Sequence, residues 1–117
     1  MREDNAIVIK SKSFALHIVR MYQMLSSQRH EYVLSRQLLR SGTSIGANIC
    51  ESQCAQSRND FYAKIYIAFK ETSKTKYWLE LLHDGNYLNQ YEFYPLYCEI
   101  QEIYQILSSI TKTVRTQ

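Results

Sequence analysis

RSGTSIGANICES, residues 40–52, is the stretch on which the interpretation of this chain turns. Its glycines, serines, threonine and asparagine are typical of a loop. Yet a single stripe continues through it at the 3.6-residue spacing of a helix face. The members of the stripe are Leu34, Leu38, Ser41, Ile45, Asn48, Ser52 and Ala55. A loop has no reason to keep this phase, so the pattern predicts that the stretch lies in the middle of a helix.

Comparable stripes predict three more helices. The predicted bounds of the four are near 11–27, 31–55, 58–84 and 91–114. Ser57 and Asp60 have the spacing of a capping box at the start of the third helix, and Gly85 is placed for a left-handed turn at its end. Short connections favour antiparallel neighbours. The sequence therefore predicts an all-α, up-down-up-down four-helix bundle forming a single domain over residues 1–117.

The composition suits a few long helices and argues against several classes of protein. The 117 residues include only three glycines and one proline, which leaves few helix breakers. We find no signal-peptide pattern and no run of about 20 apolar residues, so no membrane association is expected. Three cysteines, an odd number, do not suggest a disulfide framework. The expected location is the cytoplasm, where thiols stay reduced.

Charge is distributed unevenly along the chain. Residues 5–50 hold six basic side chains against one acid, whereas residues 51–117 hold seven basic and eight acidic ones. An acid-poor segment favours an acidic partner such as RNA, although it also suits a merely solvated face. The candidate phosphate contacts are Lys10, Lys12, Arg20, Arg36 and Arg40.

Two helices carry more apolar or small surface than one core requires. Gly42 and Gly46 each cost roughly 0.5–1 kcal/mol relative to alanine in a helix interior, which the close approach of another backbone would offset. Ile49 lies on the same side of the second helix. The third helix has a second line of its own, predicted to be an oligomer interface: Ile67, Glu71, Lys74, Trp78 and Leu81. A monomer has no need of such faces, so we expect a homo-oligomer.

Asn48 and Glu51 are the polar residues of the central motif, beside Gly42, Ser44 and Gly46. A polar side chain near a core must find hydrogen-bond partners. One interpretation is a structural clamp to a neighbouring helix. The other is a site for a ligand or nucleic acid.

No catalytic or metal-binding pattern stands out. Ser41 and Ser44 have hydroxyl groups, but no histidine is patterned to activate them. Cys50 and Cys54 lie one helical turn apart without a second Cys/His pair at a recognisable spacing. No phosphate-binding glycine motif occurs. We therefore expect no enzyme activity, no metal and no cofactor.

Residues 37–82 resemble the bacterial four-helix-bundle family of 23S rRNA intervening-sequence proteins. The elements that carry the resemblance are Ser44-Ile45-x-x-Asn48-Ile49-x-Glu51, Asp60-Phe61, Ile67-Ala68 and Tyr77-Trp78-Leu79. The chain is also similar to the accessory variability determinants of diversity-generating retroelements. The resemblance implies an antiparallel bundle that assembles as a ring, typically of five subunits. It also implies an association with RNA or a nucleic-acid-processing protein, and it brings no catalytic residues.

Two functions follow from these observations. The first is an oligomeric helical protein whose basic side chains contact phosphates without reading bases. The alternative is a protein-interaction scaffold that docks a partner protein and does not contact nucleic acid.

Overall fold

A computed structural model describes residues 2–115, with the side chains of residues 6–113. It contains four helices: α1 (Arg2–Ser27), α2 (Leu34–Ser52), α3 (Arg58–Asp84) and α4 (Gln90–Arg115). Each helix packs against the two beside it, in the cyclic order α1, α2, α3, α4. The resulting rod measures 46 × 21 × 21 Å. The predicted all-α four-helix bundle is therefore confirmed.

Residues 40–52 are continuous helix, as the stripe predicted. Leu38 and Ile45 are fully buried, and Ser41 and Ser52 lie in the same core. The buried serines satisfy their hydroxyl groups by donating to carbonyl groups one turn earlier in α2. Small hydroxyl side chains are thus compatible with a helix interior here because their hydrogen bonds stay within the helix.

The two glycines of α2 face α1. A Cβ atom on Gly46 would lie 3.4 Å from the backbone oxygen of Ser11, and one on Gly42 would lie 3.0 Å from Cγ2 of Ile18. The expected close approach of a helix backbone is therefore present at Gly46. Ile49, on the same side, is fully buried. This side of α2 is covered by α1 of the same chain, and it provides no free face for a second subunit.

α1 begins nine residues earlier than predicted, at Arg2 rather than near residue 11. The physical reason is that its core stripe extends backwards. Ile7 and Ser11 are buried on the same face as Phe14 and Ile18. The spacings of four, three and four residues continue one helix face through the segment.

α2 is shorter at both ends than the predicted 31–55. Glu31 is buried before the helix starts, and its carboxylate accepts hydrogen bonds from the backbone N–H groups of Leu34 and Ser35. At the other end, the N–H groups of Gln53, Cys54 and Ala55 donate to carbonyl oxygens three residues earlier. The predicted range 31–55 therefore counted as helix both the capping residue Glu31 and the tight turn that follows Ser52.

The ends of α3 confirm one expectation and correct another. Ser57 Oγ accepts a hydrogen bond of 3.1 Å from the N–H of Asp60, as a cap should. Gly85 does not adopt the expected left-handed conformation, because its φ is −82°. Its N–H still donates to the Leu81 carbonyl, so the helical pattern runs one residue further. The left-handed residue is Asn86, with φ of 68°.

α4 starts with a reciprocal cap that the sequence reasoning did not identify. Asn89 Oδ1 accepts from the N–H of Glu92 at 2.9 Å, and Glu92 Oε1 accepts from the N–H of Asn89 at 2.9 Å. The same carboxylate receives the Arg29 guanidinium, with two N–O distances of 2.7 Å. This fork ties the α1–α2 connection to the start of α4.

The α3–α4 seam is closed by rings and polar bridges. Phe69 packs against Tyr104 with ring centroids 5.0 Å apart. The Tyr97 hydroxyl donates to Glu80, and this bond raises the pKa of Tyr97 to about 12 by favouring the neutral phenol. Lys76 Nζ lies 3.2 Å from Gln101 Oε1. Side chains from both helices therefore fill this seam.

We expect two substitutions at Gly46 to have opposite effects. Gly46→Ala should be neutral or should stabilise the protein by up to about 1 kcal/mol, because its Cβ fits at 3.4 Å and alanine favours the helix. Gly46→Leu should lower the free energy of unfolding by roughly 1–3 kcal/mol, because the larger side chain meets the α1 backbone. Chemical denaturation of both variants measures the contrast. Equal midpoints would contradict close packing at this position.

A second prediction concerns acid. The Arg29 fork keeps the pKa of the Glu92 carboxyl below its usual range. The stabilisation that the fork provides is therefore complete above the pKa of the unfolded carboxyl, about 4.3. It is lost as pH falls through the lowered pKa of the folded state. Glu92→Gln keeps an accepting oxygen for the cap but removes the charge. At pH 7 we expect a loss of up to about 1 kcal/mol, since the pair is partly exposed.

Thermal unfolding at pH 7 and near pH 3 tests this expectation. The difference between wild type and Glu92→Gln should shrink at the lower pH, because the unfolded wild-type carboxyl binds a proton below its pKa of about 4.3 and part of the stabilisation is lost. Glu51→Gln is the matched control, because it removes the same charge from an exposed carboxylate. If the difference in stability between wild type and Glu92→Gln is equal at both pH values, the result would argue against a stabilising charged pair of Arg29 and Glu92.

Candidate functional site

The five candidate phosphate contacts do not lie on one surface. Lys12, Arg20, Arg36 and Arg40 are exposed, whereas Lys10 is partly covered and forms an ion pair with Glu102 of α4. Lys10 and Arg20 line depressions between α1 and α4. Arg40 lines a groove between α2 and α3. The structure thus separates the α1 candidates near α4 from the pair on α2.

The α2–α3 groove has a volume of about 400 Å³, and its walls carry cations and an aromatic ring. Its lining residues are Gln37, Arg40, Ser41, Ser44, Glu71, Lys74 and Trp78. Lys74 Nζ is 3.2 Å from Glu71 Oε1, so part of its charge is balanced. The groove brings Arg40 together with Glu71, Lys74 and Trp78, which the sequence had assigned to a separate oligomer interface.

The hydroxyl groups of this groove are occupied by structural hydrogen bonds. Ser41 and Thr75 have their oxygens 3.0 Å apart, which links α2 to α3 in the core. Ser44 donates to the Arg40 carbonyl at 2.6 Å. None of the three histidines lines the groove. The serines therefore serve helix packing in this arrangement.

Asn48 and Glu51 have different partners. Asn48 is half-buried, and its Nδ2 donates to the Ser44 carbonyl of its own helix at 2.8 Å. Glu51 is exposed, and its Oε2 lies 3.4 Å from Lys64 Nζ on α3. The polar contact to a neighbouring helix is thus made by Glu51, whereas the bond of Asn48 stays within α2.

The outward face of α3 bears exposed apolar and basic side chains. Of the predicted interface, Ile67 and Lys74 are exposed, Leu81 is half-exposed, and Trp78 packs partly against the core. Three more residues belong to this face and were missed by the sequence reasoning: Tyr66, Lys70 and Tyr77. We call the "α3 ridge" the line formed by Tyr66, Ile67, Lys70, Lys74, Tyr77 and Leu81.

A second groove, between α1 and α4, was also missed. We call it the "α1–α4 groove", and it consists of three depressions of about 430, 240 and 270 Å³ along the seam. Ile9 lines the groove and is 69% exposed, and Leu16, two turns further along α1, is 51% exposed. In the sequence, these two apolar residues were the only indication of the groove, because both lie off the Phe14–Ile18 core stripe of α1.

The remaining reactive side chains are surface groups. Cys50, Cys54 and Cys98 are exposed free thiols. Over the part of the chain that the structure describes, no three metal-ligating side chains come together. Within that same part, none of the helices has the length and apolarity required to cross a bilayer.

A sequence profile of the 23S rRNA-intervening sequence protein family matches residues 3–109. The chain belongs to this family. The match covers most of the four helices, whereas the resemblance noted in the sequence rested on residues 37–82. Family membership and the four-helix fold are thus established together.

A solved structure gives the same result. It is the crystal structure of a protein of unknown function from the S23 ribosomal protein family of Bacteroides thetaiotaomicron. The two chains share 46% sequence identity over 94% of this chain and 98% of that chain, with a TM-score of 0.91. No match was found among curated proteins.

Proposed function

We propose that this protein is a non-enzymatic homo-oligomer that binds RNA weakly, without reading base sequence, through the exposed face of α2. We further propose that it assembles as a ring, with five subunits as the leading candidate, and works in the cytoplasm. The name of the family, which refers to sequences within 23S rRNA, supports RNA as the acidic partner. The three exposed free thiols favour a reducing compartment.

The observation that carries the proposal is the pair Arg36 and Arg40. They lie one helical turn apart on α2, and both are exposed. The only acid on this helix, Glu51, lies near its far end and is engaged by Lys64. Two guanidinium groups without a neighbouring carboxylate on their own helix suit contact with phosphates.

One subunit offers too few such charges for tight binding. A ring repeats them around an axis, so that several weak contacts act on one strand at the same time. Binding of this kind is electrostatic, and it weakens steeply as salt displaces the protein from the phosphates. We therefore expect low affinity per subunit and tolerance of sequence.

The second candidate is the docking scaffold, which would bind a partner protein, for example one that processes nucleic acids. It is favoured by the exposed Ile9 and Leu16 on α1, because exposed apolar side chains in a line are typical of protein contacts. Apolar docking responds weakly to salt, unlike phosphate binding. A salt titration of any observed complex therefore separates the two functions.

The assembly is tested by light scattering at micromolar concentration. We expect a mass several times that of the 13.9 kDa subunit, with five copies as the leading value. The physical reason is the exposed apolar part of the α3 ridge, which a second copy would cover. A stable particle of subunit mass would reject the assembly.

The RNA-binding surface is tested with two charge reversals of equal size. Arg36→Glu with Arg40→Glu changes the α2 face, and Lys12→Glu with Arg58→Glu changes two exposed cations that lie outside the α2 face, the α3 ridge and the α1–α4 groove. Only the first should weaken binding to structured RNA. The slope of log affinity against log salt should also become shallower by about one for each phosphate that the variant no longer binds.

Fluorescence anisotropy at two salt concentrations provides the measurement, and circular dichroism confirms that each variant is folded. If wild type fails to bind at low salt, the scaffold becomes the better account. If both reversals weaken binding equally, only net charge matters and the α2 face is the wrong surface.

A further inference from the structure

The side chains of the α3 ridge follow a regular spacing that packing within the subunit does not require. Ile67, Lys70, Lys74, Tyr77 and Leu81 follow one another at alternating spacings of three and four residues. This 3.5-residue period is the one by which helices interlock in left-handed supercoils. The exposed fractions of Tyr66, Ile67 and Tyr77 are 41%, 40% and 56%. The ridge therefore exposes side chains to solvent at the spacing by which two helices interlock.

The α1–α4 groove is built with the same period. Its α1 wall includes Ala6, Lys10, Ser13, His17, Arg20 and Met24. Its α4 wall includes Glu92, Pro95, Glu99, Glu102, Ile106 and Ser109. Both series alternate spacings of three and four. At 1.5 Å per residue, the α1 wall is about 27 Å long, which exceeds the roughly 22 Å from Tyr66 to Leu81.

The charges of the two surfaces are opposite and equally spaced to within one residue. Lys70 and Lys74 lie at the centre of the ridge, with apolar or aromatic side chains on either side. Glu99 and Glu102 lie at the centre of the groove. Its end near Pro95 combines Met21, Met24 and Leu96 with Arg20 and Glu92, and its end near Ile106 is formed with Ala6, Gln105 and Ser109. Arg20 lines the Pro95 end of the groove, so the excess of negative charge is confined to its centre, where Glu99 and Glu102 lie opposite His17 and Lys10.

The carboxylates of the groove are accessible to a second cation. Glu102 is 55% exposed although it pairs with Lys10, and Glu99 is 31% exposed although His17 Nδ1 lies 2.9 Å away. Lys74 is 63% exposed beside Glu71. A carboxylate has lone pairs for more than one donor, so the internal pairs leave room for an intermolecular one.

We propose that the α3 ridge of one subunit packs into the α1–α4 groove of the next copy of this chain. When neighbouring bundles point the same way, α3 runs antiparallel to the neighbour's α4 and parallel to its α1. Lys70 then faces Glu102 and Lys74 faces Glu99, while Ile67 enters the end near Ile106. The contact rests on the proposed self-association and specifies its two surfaces.

This contact is heterologous, because the ridge and the groove are different surfaces of one subunit. No residue belongs to both, so each subunit uses its ridge and its groove at the same time. Repetition of such a contact closes into a ring when the rotation between neighbours permits. Arg36 and Arg40 on α2 belong to neither surface, and Arg40 lines the α2–α3 groove beside Lys74 of the ridge.

The test exchanges the charges of the two surfaces. Lys70→Glu with Lys74→Glu places acid against acid, and Glu99→Lys with Glu102→Lys places base against base. Each double variant should fall to the subunit mass of 13.9 kDa in light scattering. The variant with all four substitutions restores opposite charges in every contact, and it should recover the wild-type mass.

The matched control is Lys12→Glu with Arg36→Glu, which makes the same change in charge as the ridge variant but outside both surfaces. It should keep the wild-type mass. Circular dichroism verifies the helix content of each variant. Should a double variant unfold, the single changes Lys74→Glu and Glu99→Lys, alone and combined, make the same comparison with less disturbance.

Each outcome has one meaning. A monomeric wild type would reject the ridge-and-groove contact and the proposed assembly together. An assembled wild type whose reversals stay assembled, or whose charge-exchanged variant is folded but dissociated, would reject the contact and leave the assembly standing. Neither result depends on RNA, so the effect of the α2 reversal on RNA binding remains a separate test.

Discussion

The approach of α1 to the glycine side of α2 is the constraint on which the rest of the bundle depends. At Gly46 the backbone of α1 lies against the backbone of α2, because glycine has no side chain to separate them. At Gly42 the Ile18 side chain of α1 fills the space that a methyl group would occupy. α1 packs much less closely against α4 than against α2. On its far side α1 presents charged and long side chains to α4. The α1–α4 seam therefore stays open and forms a groove, while the α3–α4 seam is filled by rings.

Buried hydroxyl groups are the second theme of the interior. Ser41 and Thr75 join α2 to α3, and Thr72 donates to a carbonyl of its own helix. Interdigitated aliphatic side chains already oppose sliding of one helix along another. The Ser41–Thr75 contact forms only where the two residues lie opposite each other, and each hydroxyl also donates to a carbonyl of its own helix. The serine-rich sequence of α2 thus helps to define the alignment of the bundle.

The sequence predicted the bundle because the core stripe of α2 keeps its phase through glycines and serines. It misplaced the ends of α1 and α2 for different reasons. The start of α1 was placed too late because the polar Ser11 interrupts the apolar pattern between Ile7 and Phe14, although all three lie on one helix face. The ends of α2 depended on the buried carboxylate of Glu31 and on a final tight turn, neither of which alters the apolar pattern.

The candidate site was less predictable, since it depends on which helices are neighbours. The extra small-residue side of α2 was assigned to a partner subunit, whereas α1 covers it. The α1–α4 groove has no counterpart in any single helix, because its walls lie about 90 residues apart in the chain. Arg36 and Arg40 were predictable as a pair because both belong to one turn of one helix.

The unbroken length of α3 restricts how this chain can change in length. Its core stripe and its outward ridge belong to one helix of 27 residues. Inserting or deleting a single residue rotates everything that follows by about 100°, which turns the rest of the core stripe away from the core and breaks the line of the ridge. A change of seven residues rotates the remainder by only about 20°. Differences in length are therefore tolerated in the three connections and at the helix ends, whereas the middle of α3 has to keep its number of residues.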